Sequence, residues 1–419
     1  MLQNGDGAVV YATMQCMPSS LAIIGSGVAG LGAAWRLYRR CDLRIYEAGE
    51  HVGGHAITAE LERPGGGTTV TDLGFLVHMP ALYPSLSTMF RTLGVATEPS
   101  GPVGCTALLG NGVQWTNNGQ VTPYWRERRE EASRFEGECT ALFADRQRLA
   151  GVSTRTYLRE HGYSAAFGDD CLAPLLSFLF ITRSAQLDLP LNTVTATFVA
   201  GMYSFASAAT CWRVVSRGSR EYVARLIAPF ADRIRLRTKV ARIARDDRGV
   251  TITDATGREE RFDRVLIAAH ADEALAMLAD PSDDERRLLG AAVYERAVGY
   301  LHRDPRVMPS DRALWSAFVY ARDEQTRSEW FTYWLRPLQP WIDEDLFLTV
   351  DPPAIPEAPI RRIVWNHFLY DNDADLRVPH FAALQGQRHT WYCGEYTTGP
   401  GHEAAFVSGL KAAAMLTTV

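Results

Sequence analysis

The chain has 419 residues, 47% of them apolar and 22% charged, which excludes a largely disordered chain and leaves room for two or three globular domains. Its 43 basic and 48 acidic residues give a net charge of −5, so there is no basic surplus of the kind that binds nucleic acid. All but two of the basic residues are arginine, and the two lysines are Lys239 and Lys411.

The cysteine pattern and the apolar runs bear on where the protein works. Seven cysteines are scattered without a C-x-x-C pair, so their spacing predicts neither a disulfide framework nor a zinc site. Residues 1–17 lack the basic start and apolar core of a signal peptide and predict a loose extension. The runs 172–182 and 194–212 are too short or too interrupted to span a bilayer. We expect a cytoplasmic protein without a transmembrane segment, and contact with a membrane surface stays open.

The predicted elements begin with a β-turn-α-β unit, formed by a strand at 21–25, a helix at 28–40 and a strand at 43–46. A hairpin over 57–71 follows, then a helix at 82–93 and a second hairpin around 110–112. The pattern from 126 to 212 is mainly helical, exposed at first and apolar after 172.

The remaining elements return to a mixed pattern. They are helices at 220–230, 271–278 and 406–416, and strands at 234–236, 240–245, 250–253, 261–262, 264–268, 296–301, 314–320, 330–335, 360–367 and 391–393. This order predicts an α/β fold in which one Rossmann-like domain is assembled from separated segments, 18–75, 216–290 and 386–419. An inserted α+β substrate domain would comprise 76–215 and 291–385.

Residues 25–30 (GSGVAG) form a G-x-G-x-x-G motif between the first strand and the first helix. Such glycines permit a tight turn and a close approach to a pyrophosphate, which the helix N-terminus stabilises. Glu47, about 20 residues further on, predicts a carboxylate that accepts hydrogen bonds from ribose hydroxyls. Gly53 and Gly54, followed by His55, would let the backbone approach the diphosphate of a larger cofactor.

Together these motifs resemble the FAD-binding signature of the amine oxidase, phytoene desaturase and protoporphyrinogen oxidase superfamily, in which position 55 is often Arg. Segments 262–269, 393–397 and 403–409 resemble its later motifs, and the superfamily usually has Gly where this chain has Ala404. The resemblance covers 21–416 and is nearest to a bacterial subgroup of NAD/FAD-binding proteins. It implies FAD in a fold similar to glutathione reductase. The predicted cofactor-binding residues are Gly25, Gly27, Gly30, Glu47, Gly53, Gly54, His55, Val240, Gly394, Glu395, Glu403, Ala404 and Phe406.

A helix that begins near 401–403 would present free N–H groups to the flavin and stabilise the anion formed on reduction. Glu403 has an equal alternative as a simple carboxylate at a helix start. Many amine oxidases of the superfamily place a lysine near flavin N5, yet Lys239 is expected near the adenine and Lys411 on the closing helix. A lysine-assisted amine oxidase is therefore disfavoured.

Histidine and aromatic residues are the remaining catalytic candidates. His78, Tyr396 and His402 rank first, because their segments are expected to adjoin the flavin and histidine is a natural base near neutral pH. A lone histidine is nevertheless more often a hydrogen-bonded structural residue, and aromatic residues on strands usually pack in the core. The helical segments 172–180 and 198–205 would line an apolar substrate tunnel or simply pack in the core. Further candidates on second-sheet strands are Tyr333, Trp334, Trp365, His367 and Tyr370.

We therefore expect an FAD-dependent oxidoreductase that removes hydride from a carbon of a small, largely apolar substrate. Three alternatives stay open: a redox-neutral double-bond isomerase that uses FAD, an amine oxidase without the usual lysine, and a non-catalytic flavin-binding partner protein. No His/Cys spacing indicates a metal site, and no G-x-S-x-G turn indicates a serine nucleophile. The sequence leaves the oligomeric state open.

Overall fold

The computed structural model describes residues 20–110, 112–182 and 186–418, and its frame is a parallel sheet. The strand Ser20–Ile24 lies at its centre and is almost fully buried, as expected for a sheet covered on both faces. The predicted extension 1–17 lies outside the described residues. The five strands, in spatial order, are Thr390–Tyr392, Arg264–Ile267, Ser20–Ile24, Asp42–Tyr46 and Ile234–Arg235.

These strands come from the beginning, the middle and the end of the chain. The predicted α/β class, with a sheet assembled from separated segments, is thereby confirmed. Three further strands form an antiparallel sheet beside it, and two strand pairs lie elsewhere in the chain. The antiparallel sheet consists of Val240–Asp246, Gly249–Asp254 and Glu259–Phe262, and the pairs are Thr58–Glu62 with Thr68–Asp72 and Thr97–Pro99 with Arg213–Val215.

The first helix, Val28–Leu37, packs closely against the closing helix, His402–Thr418. Glycines make this crossing possible, because a Cβ on Gly409 would lie 2.0 Å from the Ala29 carbonyl oxygen. The closing helix begins at His402, within the start predicted near 401–403 and before the apolar run at 406–416, directly after a loop that ends at Gly401. The earlier start brings His402 and its neighbours into the first turn of the helix.

A second, mostly antiparallel sheet has seven strands, and only Phe318–Arg322 and Cys105–Leu109 run parallel to each other. The strand Phe347–Val350 was not predicted, because four buried residues carry too little pattern. The predicted strand at 314–320 begins only at Phe318, since Asp311 caps a short 3₁₀ helix before it. The strands, in spatial order, are Arg361–Phe368, Tyr294–His302, Phe347–Val350, Glu329–Trp334, Phe318–Arg322, Cys105–Leu109 and Gly112–Thr116.

The strands of this second sheet all lie within the segments 76–215 and 291–385, for which an inserted domain was predicted. The division into domains itself stays a prediction. Among the described residues no helix combines the length and the apolar character needed to cross a membrane. The other helices are Pro84–Thr92, Pro123–Ala144, Thr154–Glu160, Ala165–Phe167, Ala173–Phe180, Leu191–Val199, Arg220–Ile227, Ala271–Met277, Asp283–Gly290, Leu335–Leu338 and Asn372–Arg377.

Candidate active site

The two glycine motifs meet at the carboxyl end of the parallel sheet. The Gly53 N–H donates a hydrogen bond of 2.9 Å to the Ser26 carbonyl oxygen. A Cβ on Gly54 would lie 3.0 Å from the Gly27 Cα, so the two loops are in contact. Segments 25–30 and 53–55, which are separate in sequence, therefore form one continuous surface.

The glycines of the first motif differ in what surrounds them. Gly25 has a φ of +103°, and a Cβ there would lie 2.7 Å from the Ala268 carbonyl oxygen. A Cβ on Gly30 would lie 2.2 Å from the Gly25 carbonyl oxygen. Around Gly27, by contrast, a Cβ would meet nothing within 4 Å. Gly25 and Gly30 are thus required by the fold, whereas the space beside Gly27 is open to a ligand.

The first helix begins next to this open space without a side-chain cap. Gly27 is its N-cap residue, with φ −66° and ψ 172°. The N–H groups of a first helical turn have no partner within the helix, and they carry the positive end of the helix dipole. Because no side chain among the described residues bonds them, these groups are suited to an anionic group such as a pyrophosphate.

Glu47 is held at the edge of the same space by hydrogen bonds. One carboxylate oxygen accepts from the Ser26 N–H at 3.0 Å and from the Ser26 hydroxyl. The other accepts from the Gly49 N–H at 2.7 Å. A carboxylate has about four acceptor positions, so one remains for a ligand hydroxyl.

These features belong to the wall of a first cavity of about 560 Å³. Gly30 and Ala404 do not line it, and neither does Phe406, whose ring packs against the first helix next to Gly32. Tyr396 and His402 are on its wall, together with Lys239 near Val240. The predicted cofactor-binding residues that line it are Gly25, Gly27, Glu47, Gly53, Gly54, His55, Val240, Gly394 and Glu395.

A second cavity, of about 490 Å³, adjoins the first. His55, Phe368, Glu395 and His402 line both. Its wall is mostly apolar and aromatic. Most of the wall residues come from five segments of the chain, 73–83, 180–202, 348–350, 365–370 and 395–403. The apolar and aromatic residues on it include Leu73, Phe75, Leu76, Leu82, Phe180, Ile181, Leu189, Met202, Trp212, Phe318, Tyr333, Leu348, Val350, Trp365, Phe368 and Tyr370.

The predicted tunnel segments contribute to this wall only in part. Phe180, at the end of the first segment, and Met202, in the second, line the second cavity. Phe198 and Phe205 instead pack in the core among other aromatic rings, with their own centroids 5.5 Å apart. Trp334 points away and forms an edge contact with Trp315 at 5.2 Å.

His402 is fixed at the junction of the two cavities. Its ring is stacked on Phe75, with centroids 4.1 Å apart and planes at 15°. Its Nε2 lies 2.8 Å from the Tyr222 hydroxyl, for which no other hydrogen-bond partner is found among the described residues. A buried phenol donates its proton where it can, so Nε2 accepts it and Nδ1 carries the ring proton. Burial, with His55 and His78 nearby, lowers the pKa of His402 to about 3.

Three more histidines lie around the junction, and these are neutral too. The His55 ring centroid is 5.0 Å from that of His367 and 6.4 Å from that of His270. Burial lowers the pKa of His55 to about 4 and that of His367 well below its usual value. Among the described residues no group of three His, Cys, Asp or Glu side chains is arranged to hold a metal ion.

Glu395 is a carboxyl group with an unusual environment. It follows Gly394, whose φ is 142°, and it lines both cavities. Its position deep in the molecule raises the pKa of its carboxyl to about 7, and a hydrogen bond from the Gly401 backbone offsets only part of this effect. This carboxyl therefore loses its proton at a higher pH than an exposed glutamate does.

Glu403 is bound to another helix. Its two carboxylate oxygens accept from the N–H groups of Ser85 at 2.8 Å and Leu86 at 2.9 Å, at the start of helix Pro84–Thr92. Glu403 lines the second cavity but not the first. Glu403 thus lies in the first turn of its own helix and also bonds the start of a second helix, which is the geometry of a carboxylate at a helix start.

The other two catalytic candidates lie in different places. Tyr396 is buried on the wall of the first cavity, and its hydroxyl has no hydrogen-bond partner in the described part of the chain. His78 lies in the core, edge-on to Phe90 at 5.3 Å, and lines neither cavity. Its backbone pairs with that of Arg213. Tyr222, which positions His402, was not among the predicted site residues, because its contact with His402 joins residues that are distant in sequence.

The comparisons with known proteins agree with this geometry. The family model for flavin containing amine oxidoreductase matches residues 28–302, more than half of the chain. The chain belongs to this family. Membership confirms the predicted superfamily and makes the chain a flavin-dependent oxidoreductase. No curated protein sequence gives a significant match.

Solved structures of the family share the fold. A fatty acid isomerase from P. acnes superposes with a TM-score of 0.68 at 16% identity, over 94% of this chain and 97% of that one. Putrescine oxidase bound to putrescine gives 0.68 at 15%, over 94% and 98%. Cyclohexylamine oxidase from Brevibacterium oxydans gives 0.64 at 16%, over 96% and 99%. At these identities the likeness shows the fold alone.

Proposed function

We propose that the chain binds FAD along the first cavity and removes hydride from a carbon of a largely apolar substrate in the second cavity. The observation that carries this proposal is the meeting of the two cavities at His55, Glu395 and His402. A cofactor in the first cavity would therefore face a molecule in the second.

The residues of the first cavity fit FAD. The uncapped first turn after Gly27 would bind the pyrophosphate, and Glu47 would accept hydrogen bonds from a ribose. The open space at Gly27 permits the close approach that such bonds need. When bound, FAD accepts a hydride with its electron pair and passes two electrons on to an external acceptor.

The chain's own residues prepare the substrate. The apolar wall of the second cavity excludes water and holds the carbon chain. His402 offers its Nδ1–H as a hydrogen-bond donor at the junction, because Tyr222 occupies Nε2. In an oxidation, hydride leaves one carbon, a proton leaves the adjacent atom, and a double bond forms between them.

Proton removal has one candidate base at the junction, Glu395, because its raised pKa of about 7 suits a general base near neutral pH. Lys239 lines the first cavity, near Val240, and Lys411 is exposed on the closing helix, so neither lysine lines the second cavity. The junction histidines are neutral, and their lowered pKa values make them weak bases. Glu395 is thus the one base that an oxidation could use among these groups, and a second candidate needs none: a redox-neutral isomerase, in which hydride leaves one carbon and returns to another without an external acceptor.

One experiment tests both candidates. Purified protein is loaded with FAD and mixed anaerobically with unsaturated acyl chains, polyenes or amines. Loss of flavin absorbance would support the oxidoreductase. A shifted double bond in the product, with no acceptor added, would support the isomerase. Bleaching by amines alone would support an amine oxidase, whereas protein that binds FAD without reaction or product would support a partner protein. Protein that cannot take up FAD refutes the proposal.

A further inference from the structure

Arg146 gives the second cavity a charged rim. It is the one lysine or arginine among the described residues on the wall of this cavity. It belongs to the short 3₁₀ helix Arg146–Leu149 and is exposed, whereas wall residues such as Phe318 and Tyr333 are only 2% and 4% exposed. The cation therefore lies where the apolar cavity reaches the surface.

Most N–H donors of the Arg146 guanidinium have no acceptor among the described residues. Its one hydrogen bond within the described residues goes to the Phe143 carbonyl oxygen at 3.5 Å, and it lies 5.0 Å from the centre of the Phe143 ring. No described carboxylate lies within 4.0 Å of it. Arg148, on the same turn, differs because it pairs with Asp145 at 3.4 Å. A guanidinium has five N–H donors in a planar fork that matches a carboxylate or a phosphate.

Two acids near this cavity are already hydrogen bonded. Glu403 is bonded to the start of helix Pro84–Thr92. Asp375 accepts hydrogen bonds from Tyr370 and Asn192. A third, Glu395, lies at the inner end, where the second cavity meets the first. The cavity thus has at its rim a cation with no carboxylate partner among the described residues, and an apolar middle.

We propose that the substrate is an apolar chain with an anionic head group, a carboxylate or a phosphate, which Arg146 binds at the rim while the chain extends toward the junction with the first cavity. This inference rests on the proposed function, since it identifies the substrate class for the same site. It disfavours a protonated amine, which would meet the positively charged Arg146 at the entrance.

Calorimetric titration of the FAD-loaded protein tests this inference without measuring turnover. The probes are dodecanoate, dodecyl phosphate, methyl dodecanoate and dodecylamine, below their micelle concentrations. The variant is Arg146→Gln, and its matched control is Arg148→Gln, on the same turn but outside the cavity wall. We expect Arg146→Gln to weaken binding of dodecanoate or dodecyl phosphate about tenfold, the loss of one charge-assisted hydrogen bond.

The controls separate the possible outcomes. Methyl dodecanoate should bind equally to the wild type and Arg146→Gln, and Arg148→Gln should leave every affinity unchanged. The inference would be overturned if Arg146→Gln lost as much affinity for the ester as for the acids, or lost none for either. It would also be overturned if the wild type bound dodecylamine more tightly than dodecanoate. Protein that does not take up FAD would overturn the proposed function instead, and the comparison of head groups can then be made on the FAD-free protein.

Discussion

Replacing Gly27 by Val separates cofactor binding from folding. Gly27 has φ −66°, which any residue adopts, and a Cβ there would meet nothing within 4 Å. Valine is less favourable than glycine at an N-cap, which costs about 1 kcal/mol of helix stability. The variant should therefore fold. Its side chain would nevertheless fill the space in which the proposed function seats the pyrophosphate.

The expected loss of affinity follows from the bonds that the side chain would block. A hydrogen bond from a backbone N–H to a charged group contributes about 1.5–3 kcal/mol. Losing two of them costs about 3–6 kcal/mol, and every 1.4 kcal/mol is tenfold in affinity. We therefore expect FAD to bind Gly27→Val about 10² to 10⁴ times more weakly than the wild type.

The assay pairs FAD titration, followed by quenching of flavin fluorescence, with thermal unfolding of the FAD-free protein. Gly25→Val is the matched control, because it should impair folding. Gly25 has a φ of +103°, and a Cβ there would lie 2.7 Å from the Ala268 carbonyl oxygen. We expect a large drop in Tm for Gly25→Val and a small one for Gly27→Val. If folded Gly27→Val bound FAD with an affinity within about threefold of that of the wild type, the pyrophosphate site at Gly27 would be refuted. Equal losses of Tm in the two variants would refute the claim that Gly25, but not Gly27, is required by the fold.

Three further predictions concern the junction and the helix crossing. The raised pKa of Glu395 means that the wild type loses stability as pH rises from about 4.3 to about 7. The Tm of Glu395→Gln should therefore rise relative to that of the wild type between about pH 5 and pH 8. A difference in Tm between the two proteins that does not change with pH would contradict this. Tyr222→Phe should cost about 1 kcal/mol and shift the ¹⁵N resonances of the His402 ring, and unchanged resonances would disprove the hydrogen bond between Tyr222 and His402 Nε2. Gly409→Ala should lower the free energy of unfolding in urea by about 1–3 kcal/mol, because its Cβ would meet the first helix. The exposed Gly137→Ala should instead raise the free energy of unfolding by about 0.5–1 kcal/mol. Similar changes in both variants would argue against the close crossing of the two helices.

Much of the fold could be predicted from local signals. The strand Ser20–Ile24, the glycine turn and the helix Val28–Leu37 all depend on residues within about one βα unit. The strand Phe347–Val350 could not be predicted, since its four buried residues pair with strands that are distant in sequence. Helix starts depend on loops, and the closing helix therefore begins earlier than its apolar pattern indicated.

The candidate site shows the same limit residue by residue. Glu47 and Gly27 line the first cavity because their motif prescribes the backbone path. His78 and Phe406 follow motifs as well, yet their side chains point into the core. The direction of a side chain depends on which elements pack around it, and a single sequence does not contain that information.

By itself the sequence determined the chain's glycine loops, its interleaved α/β order and its scarcity of lysine, because positive φ values, apolar periodicity and composition are local properties. Only the tertiary structure decided that His402 is hydrogen bonded to Tyr222. The same holds for Arg146, which lies at the rim of an apolar cavity and has no carboxylate partner among the described residues. Those properties depend on distances between residues that lie far apart in the chain. Packing sets these distances, and with them the burial and hydrogen bonding that determine the charge of each group.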